Sequence, residues 1–259
     1  MIQESYNKIR TWYDSYVSEF SSEDPEIQIN IDLIKEHAYR VVENVKELTL
    51  SINLEESNLF LLETAALLHD VGRFEQLVQN GTYTDSDDLN HIQIGLDVIE
   101  QHDVLKALEE DEMKLVVECV KMHDLSVLPK ISDERSLVLI HLLRDADRID
   151  VLRIVSDYYT HKKLHPNRHL DMELKDMPAI AKKVCTAILV ERVAKREDVV
   201  TVNDLKLMQM SWIFDMKYKR SFKIVSEKSY IKAIFETLPK TDLVIDMYRN
   251  MKIFMENQL

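Results

Sequence analysis

Apolar residues recur every three or four positions along most of the chain, the period of helices that each bury one face. The pattern predicts a first helix over residues 2 to 20, broken by the polar SSEDPE stretch with Pro25. A second is expected from about Ile31 to Leu50 on the stripe Ile34, Ala38, Val41, Val45 and Leu48. A third follows from about Glu55 to Asp70 on Leu59, Leu62 and Ala66, with Gly72 ending it. Residues 78 to 90, VQNGTYTDSDDLN, read as a loop, with Asn80-Gly81 as a turn and Asn90 or Asp88 as the next helix cap. Loops of that length are often functional. Further helices are expected at about 91 to 101, 104 to 109, 111 to 123 and 134 to 160. HKKLHPNRHLDMELKDM then reads as irregular and marks a candidate subdomain boundary. Beyond it, Pro178 suits the first turn of a helix over about 178 to 196, and Thr201 with Asp204 makes a capping start for another through Tyr218. Two more helices flank Leu238-Pro239-Lys240.

Four stripes carry a polar residue where the pattern asks for an apolar one. His37 lies between Ile34 and Val41; His69 extends Leu59, Leu62 and Ala66; His123 extends Met113, Val116 and Val120; Asp147 falls within Leu137, Ile140, Val151 and Ile154. On helices all four side chains point inward. A buried carboxylate without a partner is strongly unfavourable, and a cation shared with neighbouring imidazoles is one remedy. Asp70, beside His69, adds a second carboxylate. Nitrogen and oxygen donors suit Zn, Mn, Fe or Ni, and no thiolate spacing points to a structural zinc finger. The plainer reading of any one such histidine is a hydrogen-bonded core residue. Spacing does not choose between Asp147 and Asp145, because Val138, Leu142, Ile149 and Leu152 form an apolar stripe around Asp145 as well.

Composition sharpens the picture. With 3 glycines and 5 prolines in 259 residues, turn and strand signals are scarce and an all-α fold is expected. The length suits one large domain or a domain with an extension. Cys119 and Cys185 sit in apolar helical patterns and read as core thiols of a reducing compartment. No signal peptide or spanning segment is recognised, so a cytoplasmic protein without a membrane partner is expected. A formal charge of -13 argues against duplex nucleic acid as a partner. It does not argue against a small phosphorylated substrate, since a metal site supplies positive charge locally.

LLHDVGRF, with His69 and Asp70, and LLRDADRID, with Asp147, resemble signature motifs of the HD superfamily of metal-dependent phosphohydrolases. His37 stands where that family has its first histidine, and the resemblance spans about residues 31 to 155. It implies an HD-domain helical bundle over residues 1 to 165, with a C-terminal helical extension over 166 to 259 packed on it. It also implies that His37, His69, Asp70 and Asp147 ligate a divalent metal, and it favours Asp147 over Asp145 because the family's ligand precedes a basic residue, here Arg148. His91 in NHIQIGLDVI and His123 in KMHD resemble the subset that binds two metals. On that match they ligate a second ion bridged by Asp70; otherwise His91 merely follows a cap and His123 suits a helix C-terminus. The ion, one or two per chain, could be Mn, Fe, Ni, Zn, Co or Mg.

The implied chemistry is hydrolysis of a phosphoester, a nucleotide among the candidates, by metal-activated water. Asp70 is then catalytic. Arg73 lies where the family often carries a basic residue near the phosphate and is a candidate for catalysis and substrate binding, with Lys121 a second substrate contact; a surface arginine at a helix end is the plain alternative for Arg73. The Tyr83-Thr84-Asp85 loop and Trp212, Phe214 and Tyr218 are candidate substrate walls, against a core role for the aromatics. The same superfamily includes diiron oxygenases with a similar six-ligand set, a second reading. A nucleotide-sensing or interaction protein without turnover is a third. The sequence permits a homo-oligomer and nothing in it indicates one. His102, His141, His161, His165 and His169 match no motif position.

Overall fold

The structure, a computed structural model, describes residues 2–86 and 89–259. Among these the regular elements are helices, with no strand and only the isolated bridges Ser86 to Leu89 and Lys175 to Thr201, so the fold is all-α. Two compact units follow one another, Met1–Asp147 and Arg148–Leu259. The divide falls within one continuous helix, Glu134–His161, ahead of the irregular segment that marks the boundary in the sequence.

The first unit contains α1 (Ile2–Ser18), α2 (Pro25–Thr49), α3 (Glu56–Leu68), α4 (Gly72–Asn80), α5 (His91–Gln101), α6 (Glu110–Met122) and the first part of α7 (Glu134–His161). Helix α2 starts at Pro25 and not at Ile31. The Asp24 carboxylate accepts from the Glu26 N–H at 2.9 Å, and a proline at the first helical position gives up no helical hydrogen bond. Helix α3 has no polar face: every residue from Leu61 to His69 is buried. Such a helix must be enclosed, and α1, α2 and α6 pack around it. His69 and Asp70 follow directly on its end, so the central helix delivers both into the interior.

Gly72 does not simply end a helix; it opens α4, an element that the sequence pattern does not reveal. Asn80 is the last residue of α4, and Gly81 closes the helix at φ 64, its N–H bonding Leu77 O at 2.8 Å. The expected loop therefore shortens to the residues between Gly81 and Asn90. Asn90 caps α5, its side chain accepting from the N–H groups of Ile92 and Gln93; Asp88 lies outside the described residues. No helix forms over 104 to 109. Asp103, at φ 50, takes the chain out of α5 into a series of turns.

The second unit contains the rest of α7, then α8 (Lys182–Leu189), α9 (Val202–Ser211), α10 (Lys219–Glu227), α11 (Tyr230–Glu236) and α12 (Asp242–Gln258). All of α9 is buried, with α8 and α11 against it, so it is the counterpart of α3. The Thr201–Asp204 capping box is formed: Thr201 Oγ1 accepts from Asp204 N at 3.1 Å and Asp204 Oδ2 accepts from Thr201 N at 3.0 Å. Boundaries differ from expectation at both ends of α8, which stops at Leu189, at the end of α9, and before Leu238, where α10 and α11 stand in place of one helix. Helix α9 ends at Ser211, where a 3-10 turn over Trp212–Asp215 and extended Met216 follow, and α8 starts four residues after Pro178, at Lys182. Phe214 packs edge-on against Phe254 with ring centroids 4.9 Å apart, both rings half-buried. Cys119 and Cys185 are free and buried.

Candidate metal centre

Each donor arrives on a different element. His37 lies on the buried stripe of α2. His69 is the C-cap of α3, and Asp70 lies in the turn before α4. His91 is the first residue of α5, His123 the C-cap of α6, and Asp147 lies on α7. These six side chains converge. His37 Nε2 lies 3.1 Å from His69 Nε2 and 3.2 Å from Asp147 Oδ1; His69 Nε2 is 3.8 Å from the same Asp147 oxygen. Asp70 faces both sides. Its Oδ2 lies 3.8 Å from His37 Nε2 and 3.7 Å from His69 Nε2, while its Oδ1 lies 3.4 Å from His91 Nε2 and 3.6 Å from His123 Nε2. His37, His69 and Asp70 form one group able to hold a metal, and Asp70, His91 and His123 another.

Hydrogen bonding fixes which nitrogen of three rings is bare. His69 Nδ1 lies 2.7 Å from Ala66 O, His123 Nδ1 lies 2.8 Å from Val120 O, and His91 Nδ1 lies 2.8 Å from Asp85 Oδ2. Carbonyl and carboxylate oxygens only accept, so each Nδ1 carries the proton and donates. In a neutral ring the Nε2 lone pair is then turned on Asp70. Burial pushes His69 down to about 4, against the attraction of Asp70. Burial, followed by the charge of Arg73, also lowers His91. Burial opposes ionisation of Asp70, but His69, Arg73, His123 and His91 together overcome it and hold the carboxyl well below its usual range. Asp147 is likewise low, burial being overcome by His37 and His69. Asp70 Oδ1 and His91 Nε2, both buried, make no hydrogen bond. Two facing acceptors without a proton between them repel, and a cation between them is what that geometry fits.

Arg73 and Lys121 are placed differently from the six. The Arg73 guanidinium is largely buried: Nε is 3.5 Å from Asp70 Oδ1, and Nη1 donates to Gln76 Oε1 at 3.0 Å and to Tyr83 O at 2.9 Å. It therefore binds the turn and the loop after α4 as well as facing Asp70. Lys121 is exposed on α6 and lies outside the contacts that join these side chains. Asp145 is buried, but two residues along a helix is about 200° of rotation, so it faces away from the side on which Asp147 meets His37.

Two participants escape the sequence pattern. Asp85 sits in a loop, where no periodicity marks it, and reaches His91. Arg144 is the largest fully buried side chain, and its Nη1 donates to Met122 O at 3.0 Å and His123 O at 2.8 Å. It satisfies carbonyls that the end of α6 leaves open, and so fixes the backbone that carries His123.

An all-α unit with inward histidine and aspartate groups able to hold a divalent metal defines the class of this protein. Residues 34–153 match the HD domain family model, which identifies this stretch of the chain as an HD domain. That family consists mostly of metal-dependent phosphohydrolases, and its domains bind divalent metals. The chain matches no curated protein and no solved structure. Among the described residues no helix is long and apolar enough to cross a membrane.

Proposed function

We propose that this protein is a metal-dependent phosphohydrolase that cleaves a phosphoester by activating water, with nucleotides the first substrate class to try. The supporting observation is Asp70, which turns one carboxylate oxygen on His37 and His69 and the other on His91 and His123. In this reading His37, His69, Asp70 and Asp147 hold one divalent ion, and Asp70, His91 and His123 a second. Such ions supply a lowered pKa for water and neutralise charge on phosphoryl oxygens. The chain supplies the rest. Backbone carbonyls keep His69 and His123 in the right tautomer, and Arg73 adds a fixed positive charge beside Asp70, where a phosphoryl group would approach. Free, buried Cys119 and Cys185 suit the reducing cytoplasm, the compartment included in this reading.

The test is a panel of phosphomonoesters, phosphodiesters and nucleotides offered to metal-depleted protein with Mn, Mg, Ni, Co and Fe added in turn. Phosphate release that requires an added metal supports the hydrolase. Two bound irons with a mixed-valence signal and no phosphate release would replace it with an oxygenase, and nucleotide binding without turnover would replace it with a sensor.

A further inference from the structure

We infer that Asp85 is the positioning residue for the His91 half of the centre, holding the ring so that Nε2 is presented to Asp70; its consequence for metal binding rests on the functional reading above. Asp85 grips His91 at two points. Its oxygens lie 3.0 and 2.8 Å from His91 Nδ1, and Oδ1 also accepts from the His91 backbone N–H at 3.0 Å. One contact fixes the rotation of the ring, and the other fixes the first residue of α5.

Asp85 is itself held. Gln76, fully buried on α4, donates from Nε2 to Asp85 Oδ1 at 2.8 Å. Arg73 Nη1 lies 3.6 Å from the same oxygen and donates to both Gln76 Oε1 and Tyr83 O. The loop is thus stitched to α4 on both sides of Thr84, and Asp85 carries that order to the donor.

Asp85, His91 and Asp124 also lie close enough together to resemble a third metal group. The short, doubled contact of Asp85 with Nδ1, opposite an Nε2 that makes no hydrogen bond, assigns the ring proton to Nδ1 instead. A nitrogen that gives its proton to a carboxylate has no lone pair left for a metal, so Asp85 acts through His91 and not as a ligand. An anionic acceptor on Nδ1–H makes the opposite nitrogen a better donor, and loss of such a partner typically weakens metal binding about 10- to 100-fold.

Two measurements test this. In the metal-free protein, nitrogen NMR of His91 should show the proton on Nδ1, and D85A should lose that preference. Titration with Mn(II) or Co(II) should show two steps, with the second weakened about 10- to 100-fold in D85A and the first unchanged. D85N keeps an acceptor oxygen without the charge, so it should fold like the parent and give a smaller loss. A wild-type His91 protonated on Nε2, or a second step equal to wild type in both variants, would overturn the inference. An Asp85-dependent Nδ1 proton in a protein that takes up no metal would support the hold on His91 while removing the phosphohydrolase reading.

Discussion

Gly72 and Gly95 meet backbone to backbone where α4 begins against α5. A Cβ on Gly72 would fall 2.1 Å from the carbonyl oxygen of His91 and 2.5 Å from the Gly95 nitrogen. Both obstacles are main-chain atoms, so no flexible side chain can yield. This approach sets His91 beside Asp70, two residues before Gly72. Gly72→Ala should therefore cost at least about 1–3 kcal/mol of stability, as overpacking does, and shift His91. Urea unfolding checks it; an unchanged midpoint would contradict the close approach.

Arg144→Met removes a buried guanidinium that serves the carbonyls of Met122 and His123. The apolar replacement leaves both carbonyls without that donor, at a cost of about 3 kcal/mol. Because the bonds end on the residue that carries a proposed ligand, the second metal should bind more weakly than the first. Calorimetric unfolding with metal titration separates the two effects, and equal weakening of both ions would reduce Arg144 to general support.

In the second unit, Asp204 is fully buried and accepts from three backbone N–H groups: Ala181 at 2.7 Å, Val200 at 3.0 Å and Thr201 at 3.0 Å. Asp204→Ala strands these donors and should lower stability by about 3 kcal/mol. Thr201→Ala, which removes the cap bond and the donation of the Thr201 hydroxyl to Ala179 O at 3.0 Å, should cost about 1–2 kcal/mol. Comparable losses in the two variants, by chemical denaturation, would mean that water replaces Asp204.

Protons and metal compete for the same imidazole nitrogens. Burial lowers His123 as it lowers its neighbours, but the Asp70 carboxylate beside it outweighs burial and raises it above its ordinary 6.5. His69, at about 4, stays neutral far below that. A raised pKa means that the proton binds first as pH falls, so on the proposed two-ion reading an ion held by His123 should leave at a higher pH than one held by His69. Stepwise acid titration of protein loaded with Mn or Co, followed by metal release, checks the order. The reverse order would show that Asp70 does not govern His123.

How much was legible in the sequence varies by residue. His37, His69 and Asp147 stand out because a histidine or aspartate interrupts a helical stripe, and the structure turns the two histidines onto Asp70 and Asp147 onto the two histidines. Thr201 and Asp204 declare their cap through spacing alone. Asp85 carries no such mark, since its importance comes from a loop returning to α5 over a contact that no period encodes. Arg144 is hidden for another reason: a charged residue in an apolar run normally reads as a solvent-facing position, and only the open carbonyls at the end of α6 explain its burial. The segment 104 to 109 has helical composition, yet left-handed Asp103 turns the chain away before a helix can propagate. Helix α4 stays hidden because it starts without a side-chain cap, immediately after the turn that holds Asp70.

Elemental analysis of wild type beside Asp70→Ala decides whether one carboxylate joins two metal half-sites. Two divalent ions per chain in the wild type, and loss of both in the variant while its helical signal is kept, is the predicted result. A variant that retains the full wild-type metal content would contradict it.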